Sequence, residues 1–422
     1  MIEVQPPVER AILVGAPRKG SKDAEQLQEH LDELERLVDT AGAEIVGRLT
    51  QQIASANPAT LIGEGKVEEL KALVAETGAT LVVFDEELTP NQGAILEEEL
   101  TKRVMDRAEV ILDIFATRAR THEAKLQVEL AQNEYLLPRL ARMWTHLSRI
   151  RGGIGLRGPG ETQLETDRRM LRRKIQHLTD KLRDVARHRA VLRAGRRGML
   201  NAALVGYTNA GKSSLLRALS GQHDIFVEDR LFATLDTLSR EVDLGEGYRA
   251  RVFDTVGFIR KLPHNLVASF RATLEEVLEA DVLLHVVDAS HPSWEEQWTV
   301  VEGVLAELGV HDIPVIPVFN KMDAVADPVA LMQRVRELHP DAVFTSTLKI
   351  DGLEPLKAEL RRREREARPP LTVRIPMADG KRLAELYRAG EVLARREDGD
   401  AYELTVRIPA AEAARLGVGQ GG

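Results

Sequence analysis

Residues 206–213, GYTNAGKS, decide the fold of the middle of this chain. They match the spacing G-x-x-x-x-G-K-[ST], follow the apolar run at 202–205 and lead into Ser214, where a helix is predicted to begin. A strand, a loop and a helix in this order form a phosphate site, because glycines let backbone N–H groups close around phosphate oxygens and the helix N-terminus attracts negative charge. We expect Lys212 to reach the β- and γ-phosphates of a nucleotide and Ser213 to ligate Mg²⁺.

A second segment, DTVGF at residues 254–258, follows the alternating strand predicted at 248–253. Its Asp254 can hold the magnesium shell, and the backbone N–H of Gly257 can bind the γ-phosphate. Between this segment and the phosphate loop lies LFATLD, at residues 231–236. A second hydroxyl ligand for Mg²⁺ is expected near its end, but spacing alone does not choose between Thr234 and Thr237.

The segment NKMD, at residues 320–323, follows a buried strand predicted at 313–319. We expect it to recognise the base of the nucleotide. The carboxylate of Asp323 can accept two hydrogen bonds from the amino and ring N–H groups of guanine, a pair that adenine lacks, so the pattern selects GTP over ATP. Asn320 is expected to brace neighbouring loops, while the stem of Lys321 covers the base plane. The last base contact is predicted from Ser346, Thr347 and Leu348.

Phe258 stands where many small GTPases carry the glutamine that orients the attacking water. An apolar side chain cannot orient water. We therefore expect slow intrinsic hydrolysis, with the missing positioning supplied by a partner or by a rearranged loop.

Composition limits the class of protein. The 422 residues are enough for about three domains, and 43% of them are hydrophobic. The absence of cysteine excludes disulfides, thiol catalysis and thiolate metal sites, and agrees with a reducing cytosol. The N-terminus has no basic region leading into an apolar core, and no apolar run approaches the ~20 residues that span a bilayer. We expect a soluble, cytoplasmic protein without stable membrane insertion.

Charge is distributed unevenly. Residues 139–197 contain 17 Lys and Arg against 5 Asp and Glu, a local net charge of +12, so the rest of the chain carries −20 of the total of −8. Such a basic block on an acidic protein indicates contact with a polyanion. A solvated helix face balanced by acids elsewhere in the fold remains the alternative on charge alone.

The N-terminal part, residues 1–118, alternates strands with helices. Strands are predicted at 11–15, 44–47, 58–63 and 81–84, with helical spacing of apolar residues between them. This order predicts an α/β domain in which helices cover a parallel sheet. GEGKVEEL, at 63–70, lacks the second glycine, the lysine and the hydroxyl of a phosphate loop in sequence, so we interpret it as a turn into a helix.

Residues 119–198 show helical patterns in place of the alternation of strands and helices. Leucines share a helix face up to Pro138, and a heptad pattern follows the glycine-rich stretch, which together predict a long antiparallel helical hairpin. The heptad positions are Leu171, Ile175, Leu178, Leu182, Val185 and Leu192. Between the helices, residues 151–167 contain five glycines and two arginines. We interpret this loop as a flexible basic finger suited to RNA, with a mere hinge as the alternative.

The remaining segments complete the architecture. Residues 199–366 return to α/β alternation and form the phosphate-loop G domain, with a mostly parallel sheet flanked by helices. Residues 371–422 form a small α+β domain, with strands predicted at 371–377, 391–395 and 401–408 and a helix at 380–388. This domain has no acid/base pair or metal cluster, and the 11 histidines of the chain show no ligand spacing.

With these motifs in place, the chain resembles the HflX family, translation-associated GTPases of the Obg–HflX group. Four runs carry the resemblance: residues 111–140 (ILDIFATRARTHEAKLQVELAQNEYLLPRL), MWTHLSR at 143–149, GGIGLRGPGETQLETDRR at 152–169, and LFATLD. The resemblance implies a nucleotide-responsive factor that binds the large ribosomal subunit and its ribosomal RNA and splits ribosomes under stress. It also favours Thr234 over Thr237 as the metal ligand.

Two positions depart from the family pattern. Thr237 stands where proline usually follows FATLD, and Thr347 stands where alanine usually follows the serine of the last guanine loop. We expect neither change to abolish nucleotide binding.

The motifs and the resemblance together predict the residues of the site. Catalytic roles are expected for Lys212, Thr234 and Gly257, and metal contacts for Ser213, Thr234 and, through water, Asp254. GTP or GDP is expected to contact Gly206, Tyr207, Thr208, Asn209, Ala210, Gly211, Lys212, Ser213, Ser214, Phe232, Ala233, Thr234, Leu235, Asp236, Asp254, Thr255, Val256, Gly257, Asn320, Lys321, Met322, Asp323, Ser346, Thr347 and Leu348. RNA contacts are expected from Arg149, Arg151, Arg157, Arg168, Arg169, Arg172 and Arg173.

The favoured hypothesis is a GTPase that binds the large ribosomal subunit in its GTP form, splits or rescues ribosomes, and leaves after hydrolysis to GDP and phosphate. We expect no DNA partner and a monomer off the ribosome. Two alternatives stay open: an RNA-remodelling NTPase that also uses ATP, and a nucleotide-binding scaffold with little hydrolysis.

Overall fold

The computed structural model of the chain describes residues 8–140, 159–193, 199–222, 230–262, 277–368, 370–408, 413 and 415–417. Contacts within the chain separate two compact units. The first comprises residues 1–183 together with 229–232 and 261–270, and the second comprises the rest.

The first unit contains a four-stranded parallel sheet in the order β2-β1-β3-β4. Its strands are β1 (Arg10–Gly15), β2 (Glu44–Thr50), β3 (Leu81–Phe84) and β4 (Arg103–Asp106). Strand β1 is buried after its first residue and β3 is buried throughout, as expected for strands covered on both faces. The predicted N-terminal parallel α/β fold is confirmed.

Two details of the N-terminal prediction were wrong. Residues 58–63 are not a strand but a tight turn, closed by mutual backbone hydrogen bonds of 2.9 Å between Asn57 and Leu61. Leu61 has φ +65°, a left-handed conformation that a strand does not contain. The sequence reading also omitted β4, a strand of 4 residues that is too short to show a clear period.

Five helices accompany this sheet: α1 (Lys22–Glu25), α2 (Leu27–Ala41), α3 (Glu64–Thr77), α4 (Pro90–Leu100) and α5 (Arg107–Arg118). Helix α3 begins directly after Gly63, so GEGKVEEL is a turn into a helix, as predicted. Helix α4 begins with a capping box between Thr89 and Gln92, followed by proline in its first turn. The capping box satisfies N–H groups of the first turn, which have no partner within the helix.

The described residues of the segment 119–198 are mostly helical. Helix α6 (His122–Leu136) runs into a 3₁₀ turn (Leu137–Arg139), and α7 spans Pro159–Arg193. Leucines of α6 and α7 form one buried cluster, made of Leu126, Leu130, Leu178 and Leu182. Lys174 Nζ on α7 lies 2.7 Å from a carboxylate oxygen of Glu129 on α6. The two predicted helices therefore pack through the apolar positions that defined them.

The predicted glycine-rich loop needs a correction. Residues 159–167 of the 151–167 stretch belong to α7, so the loop was predicted too long at its C-terminal end. Proline is well tolerated in the first turn of a helix, and the residues that follow it contain no glycine after Gly160. Residues 151–158 and 143–149 lie outside the described part of the chain.

The second unit contains a six-stranded sheet in the order β10-β9-β8-β5-β7-β6. Its strands are β5 (Leu200–Gly206), β6 (Leu238–Gly245), β7 (Tyr248–Asp254), β8 (Val282–Asp288), β9 (Val315–Asn320) and β10 (Val343–Phe344). All neighbours pair in parallel except β6 and β7, which are antiparallel. This confirms the mostly parallel sheet and brings the carboxyl ends of β5, β7, β8 and β9 to one edge.

Within the described residues of this unit, four helices accompany the sheet: α8 (Lys212–Ser220), α9 (Trp294–Glu307), α10 (Pro328–Leu338) and α11 (Glu354–Glu366). Leu215, Leu216 and Leu219 of α8 are buried in one core cluster with Leu356 and Leu360 of α11. The amphipathic faces thus hold the start of α8, directly after the phosphate loop, against the sheet.

The same unit ends in a three-stranded antiparallel sheet in the order β11-β13-β12. Its elements are β11 (Leu371–Pro376), α12 (Gly380–Ala389), β12 (Glu391–Asp398) and β13 (Ala401–Arg407). Gly399, with φ +64°, makes the turn between β12 and β13. The predicted C-terminal α+β fold is confirmed.

Two features are absent from the described residues. Across the ranges given above, no helix combines the length and apolar character that a membrane crossing requires. The same residues contain no cluster of three or more His, Asp or Glu side chains that could hold a metal ion.

Candidate nucleotide site

The phosphate loop joins the end of β5 to the start of α8 through two glycines in left-handed or otherwise restricted conformations. Gly206 has φ +153°, and a Cβ there would lie 2.2 Å from the carbonyl oxygen of Val286. Gly211 has φ +93°, and a Cβ there would lie 2.4 Å from Nδ2 of Asn320. Only glycine fits these close approaches, which explains the spacing of the two glycines in the motif.

Lys212, the first residue of α8, directs its ammonium group into the loop. Its Nζ donates hydrogen bonds to the carbonyl oxygens of Gly206 at 3.0 Å and Tyr207 at 2.9 Å. Burial lowers the pKa of Lys212 to about 8, because few groups around it compensate the charge. A buried cation held mainly by neutral carbonyls is suited to receive an anion such as a nucleotide phosphate.

Three predicted metal-binding residues from separate segments meet beside Lys212. The hydroxyl of Ser213 donates to Oδ2 of Asp254 at 2.6 Å and lies 2.7 Å from Oγ1 of Thr234. Asp254 is fully buried at the end of β7, and burial raises its pKa. These side chains converge although they are far apart in the sequence.

The donor set fits Mg²⁺. Oδ1 of Asp254 is buried and has no hydrogen-bond partner among the described residues. A buried carboxylate oxygen of this kind is costly unless a cation or its water shell satisfies it. Two hydroxyls and one carboxylate are hard oxygen ligands of the type that Mg²⁺ takes together with waters and nucleotide phosphates.

The segment that follows β7 lies directly on the phosphate loop. The backbone N–H of Phe258 donates to the carbonyl of Gly206 at 3.0 Å, and Thr208 N donates to the carbonyl of Phe258 at 2.6 Å. A Cβ on Gly257 would lie 2.7 Å from Cα of Thr208, so this glycine allows the close approach. The Phe258 side chain is 1% exposed and carries no group that could orient water.

The NKMD residues begin at Asn320, the last residue of β9. Two of them contact backbone carbonyls of the phosphate loop. Asn320 Nδ2 donates to the carbonyl of Ala210 at 3.2 Å, and Lys321 Nζ donates to the carbonyl of Asn209 at 2.9 Å. Thr345 Oγ1 in turn donates to Oδ1 of Asn320 at 3.2 Å. Asn320 therefore contacts the phosphate loop directly, as its predicted bracing role requires.

Asp323, the last residue of NKMD, pairs with Ser346, which follows β10. The hydroxyl of Ser346, which is 2% exposed, donates to Oδ1 of Asp323 at 2.5 Å. Its oxygen also accepts the backbone N–H groups of Leu348 and Lys349, each at 3.2 Å. The pair aligns the carboxylate predicted to read guanine, while the side chain of Leu348 is 81% exposed.

The structure gives the surroundings of Phe232 and the placement of the predicted RNA contacts. The ring of Phe232 packs edge-on against Phe115, with centroids 4.7 Å apart, and residues 229–232 belong to the first unit. Arg149, Arg151 and Arg157 lie outside the described residues. The other predicted RNA contacts lie on α7: Arg168, Arg169, Arg172 and Arg173.

Sequence reasoning missed two polar residues of the site. Asp288, the last residue of β8, accepts a hydrogen bond from Lys321 Nζ at 2.7 Å, and Thr345 braces Asn320 as described above. Ligands bind at the carboxyl ends of parallel strands, and Asp288 closes the apolar run of β8 at that edge. The position of Asp288 at the end of a buried strand could therefore have indicated it from the sequence.

A strand-loop-helix phosphate loop with a buried lysine, two hydroxyls and a carboxylate that meet beside it, and an NKMD turn joined to the loop define a phosphate-loop nucleotide-binding protein. Family models agree over most of the chain. The matches are described as GTP-binding GTPase N-terminal over residues 28–116, GTP-binding GTPase Middle Region over 118–196 and 50S ribosome-binding GTPase over 201–321.

Whole-length relatives give the narrower assignment. The GTPase HflX of Magnetococcus marinus is 45% identical, with 95% of this chain and 92% of the relative aligned. The GTPase HflX of Escherichia coli is 43% identical over 90% and 88%. The chain belongs to the HflX family of GTPases, and it is a GTP-hydrolysing enzyme. Among solved structures, a GTP-binding protein from Sulfolobus solfataricus in complex with GDP matches with 23% identity, a TM-score of 0.45 and coverage of 85% and 100%.

Proposed function

We propose that this GTPase binds the large ribosomal subunit in its GTP form, splits or rescues ribosomes, and leaves after hydrolysis. Membership of the HflX family and the match to the 50S ribosome-binding GTPase model support a ribosomal target. The observation that carries the proposal is the exposed arginine surface of α7.

Two arginines of this surface have no acidic side chain paired with them among the described residues. Arg172 and Arg173 are exposed, and within the described part of the chain neither has a carboxylate partner. Arg169, by contrast, forms an ion pair with Glu165 at 3.0 Å. Free guanidinium groups on a helix suit the phosphate oxygens of RNA, which accept bidentate hydrogen bonds.

The nucleotide site would act as follows. Lys212 binds the β- and γ-phosphates, and Asp323 reads the guanine edge. Ser213 and Thr234 hold Mg²⁺, with Asp254 in its water shell, and the bound ion neutralises charge that develops on the phosphates. Binding of GTP would thereby tie together the segments that carry these residues.

Hydrolysis would depend on the target. The buried Phe258 cannot position water, so the unassisted rate is expected to be slow and the ribosome to stimulate it. Because ribosome binding would trigger hydrolysis, the factor would be released only after it has bound the ribosome.

Sedimentation with purified ribosomal subunits tests the target. We expect the full chain to co-migrate with the large subunit in the presence of a non-hydrolysable GTP analogue and to separate with GDP. Raised salt should weaken the association, because phosphate contacts release counterions. Absence of GTP-dependent co-migration at both low and moderate salt would refute the proposal.

Two variants separate the parts of the argument. Arg172→Gln with Arg173→Gln should weaken co-migration and reduce its salt dependence, whereas GTP affinity stays unchanged. The control Arg362→Gln removes an exposed arginine that is already paired with Glu359 and Glu366, and should leave co-migration unchanged. Equal loss in both variants would show that general charge, rather than α7, drives binding.

A further inference from the structure

Asp288 lies between the phosphate loop, which follows β5, and the NKMD segment, which begins at the end of β9. It ends β8, which pairs with β5 on one side and with β9 on the other. In the register of β8 and β9 it faces Asn320, the first residue of NKMD, and the backbone N–H of Ala289 donates to the carbonyl of Asn320 at 2.9 Å. No motif of the family resemblance includes this carboxylate.

Both oxygens of Asp288 are engaged. Oδ2 accepts from Lys321 Nζ at 2.7 Å, while Oδ1 accepts from the backbone N–H of Ser290 at 3.0 Å and from its hydroxyl at 2.6 Å. The Asp288 side chain is 14% exposed. Ser290 therefore fixes the orientation of the carboxylate, and the carboxylate fixes the ammonium group.

The same ammonium group also contacts the phosphate loop, because Lys321 Nζ donates to the carbonyl of Asn209. Asn209 and Lys321 both have left-handed backbones, with φ +60° and +62°, although neither is glycine. Such conformations persist where surrounding contacts hold them. The chain Ser290, Asp288, Lys321 and Asn209 supplies those contacts across three loops.

We propose that Asp288 is a positioning residue of the guanine-nucleotide site, which acts by holding Lys321 against the phosphate loop. The inference rests on the assignment of Lys321 to the base in the proposed function. With Asp288 in place, the Lys321 stem stays where the base plane is expected and the NKMD turn stays joined to the loop. Without it, the ammonium group turns to solvent and the nucleotide leaves faster.

The test measures dissociation of a fluorescent GDP analogue from the full chain by stopped flow. Asp288→Asn and Lys321→Met are each expected to accelerate dissociation by about three- to tenfold, the range for loss of one charge-assisted hydrogen bond at a partly exposed site. The double variant should be no faster than Lys321→Met alone, because Asp288 acts through Lys321.

Controls separate positioning from stability. Asp379→Asn also removes a carboxylate that accepts a backbone N–H, since Asp379 caps α12 through Arg382 N at 3.0 Å, and it should leave dissociation unchanged. Ser290→Ala should give a smaller acceleration than Asp288→Asn. Circular dichroism and nucleotide stoichiometry verify that each variant is folded.

Three outcomes would overturn the proposal. If Lys321→Met accelerates dissociation but Asp288→Asn does not, Asp288 has no positioning role while the assignment of Lys321 stands. If neither variant changes dissociation, the assignment of Lys321 fails as well. If the effects of the two substitutions multiply in the double variant, Asp288 acts by a route that does not involve Lys321.

Discussion

Ser346→Ala offers a quantitative test of how the Asp323 carboxylate, which is expected to bind guanine, is held in position. The substitution removes the hydroxyl that donates to Asp323 at 2.5 Å and accepts two backbone N–H groups at 3.2 Å. A hydrogen bond to a charged group contributes about 1.5 to 3 kcal/mol, and we take about 1.5 kcal/mol because Asp323 is exposed. This free energy corresponds to about a tenfold loss of GDP affinity.

Calorimetry with GDP and with IDP, which lacks the 2-amino group, measures the effect. Asp323 is expected to accept two hydrogen bonds from guanine and one from hypoxanthine, so a poorly oriented carboxylate costs GDP more than IDP. We expect the ratio of GDP to IDP affinity to fall about threefold. The control Ser220→Ala removes a hydroxyl at the end of α8 that donates to the Arg217 carbonyl, and should change neither affinity.

Two results would refute this reasoning. A folded Ser346→Ala protein whose GDP affinity falls by less than twofold would show that Asp323 needs no help from the hydroxyl. Equal losses of GDP and IDP affinity would show that Ser346 supports the loop backbone without orienting the carboxylate.

Three further predictions follow from the site and its core. Gly206→Ala should abolish GDP binding in calorimetry, since the new Cβ would lie 2.2 Å from the Val286 carbonyl, while Gly65→Ala, with nothing within 4 Å, should bind normally. Burial lowers the pKa of His285 from 6.5 to about 3, so the unfolded state binds more protons between these values and stability falls as pH drops. His285→Phe should therefore remove about 1.6 kcal/mol of the stability difference between pH 6.5 and pH 5 in urea unfolding. EDTA should accelerate GDP release from the wild type, and Asp254→Asn should reduce that response, as measured by stopped flow; an equal response would exclude Asp254 from the metal site.

The nucleotide motifs could be predicted because their requirements are local. Gly206 and Gly211 need backbone conformations and close approaches that only glycine allows, and the apolar run before them predicts a buried strand. The C-terminal strands were predicted for the same reason, since the turn at Gly399 and the alternation around it lie within one short window.

Local patterns failed where neighbours in space set the conformation. Residues 58–63 carry apolar side chains like a strand, yet the backbone bonds between Asn57 and Leu61 close them into a turn. Phe232 belongs to the LFATLD segment, and only the tertiary structure shows that its ring packs on Phe115. Asp288 belongs to no motif, and only its place at the edge of the sheet brings it to Lys321.

By itself, the sequence indicated the phosphate loop, the NKMD motif, the absence of the glutamine and the alternation of strands and helices, but not the turn at 58–63 or the short strand β4. The tertiary structure decided which distant side chains meet: Ser213 with Asp254, 41 residues apart, and Asp323 with Ser346, 23 residues apart. The physical reason is that local preferences depend on neighbouring dihedral angles and periodicity, whereas these contacts depend on strand order and register. Burial of the whole sheet selects that order, and no short window of sequence contains it.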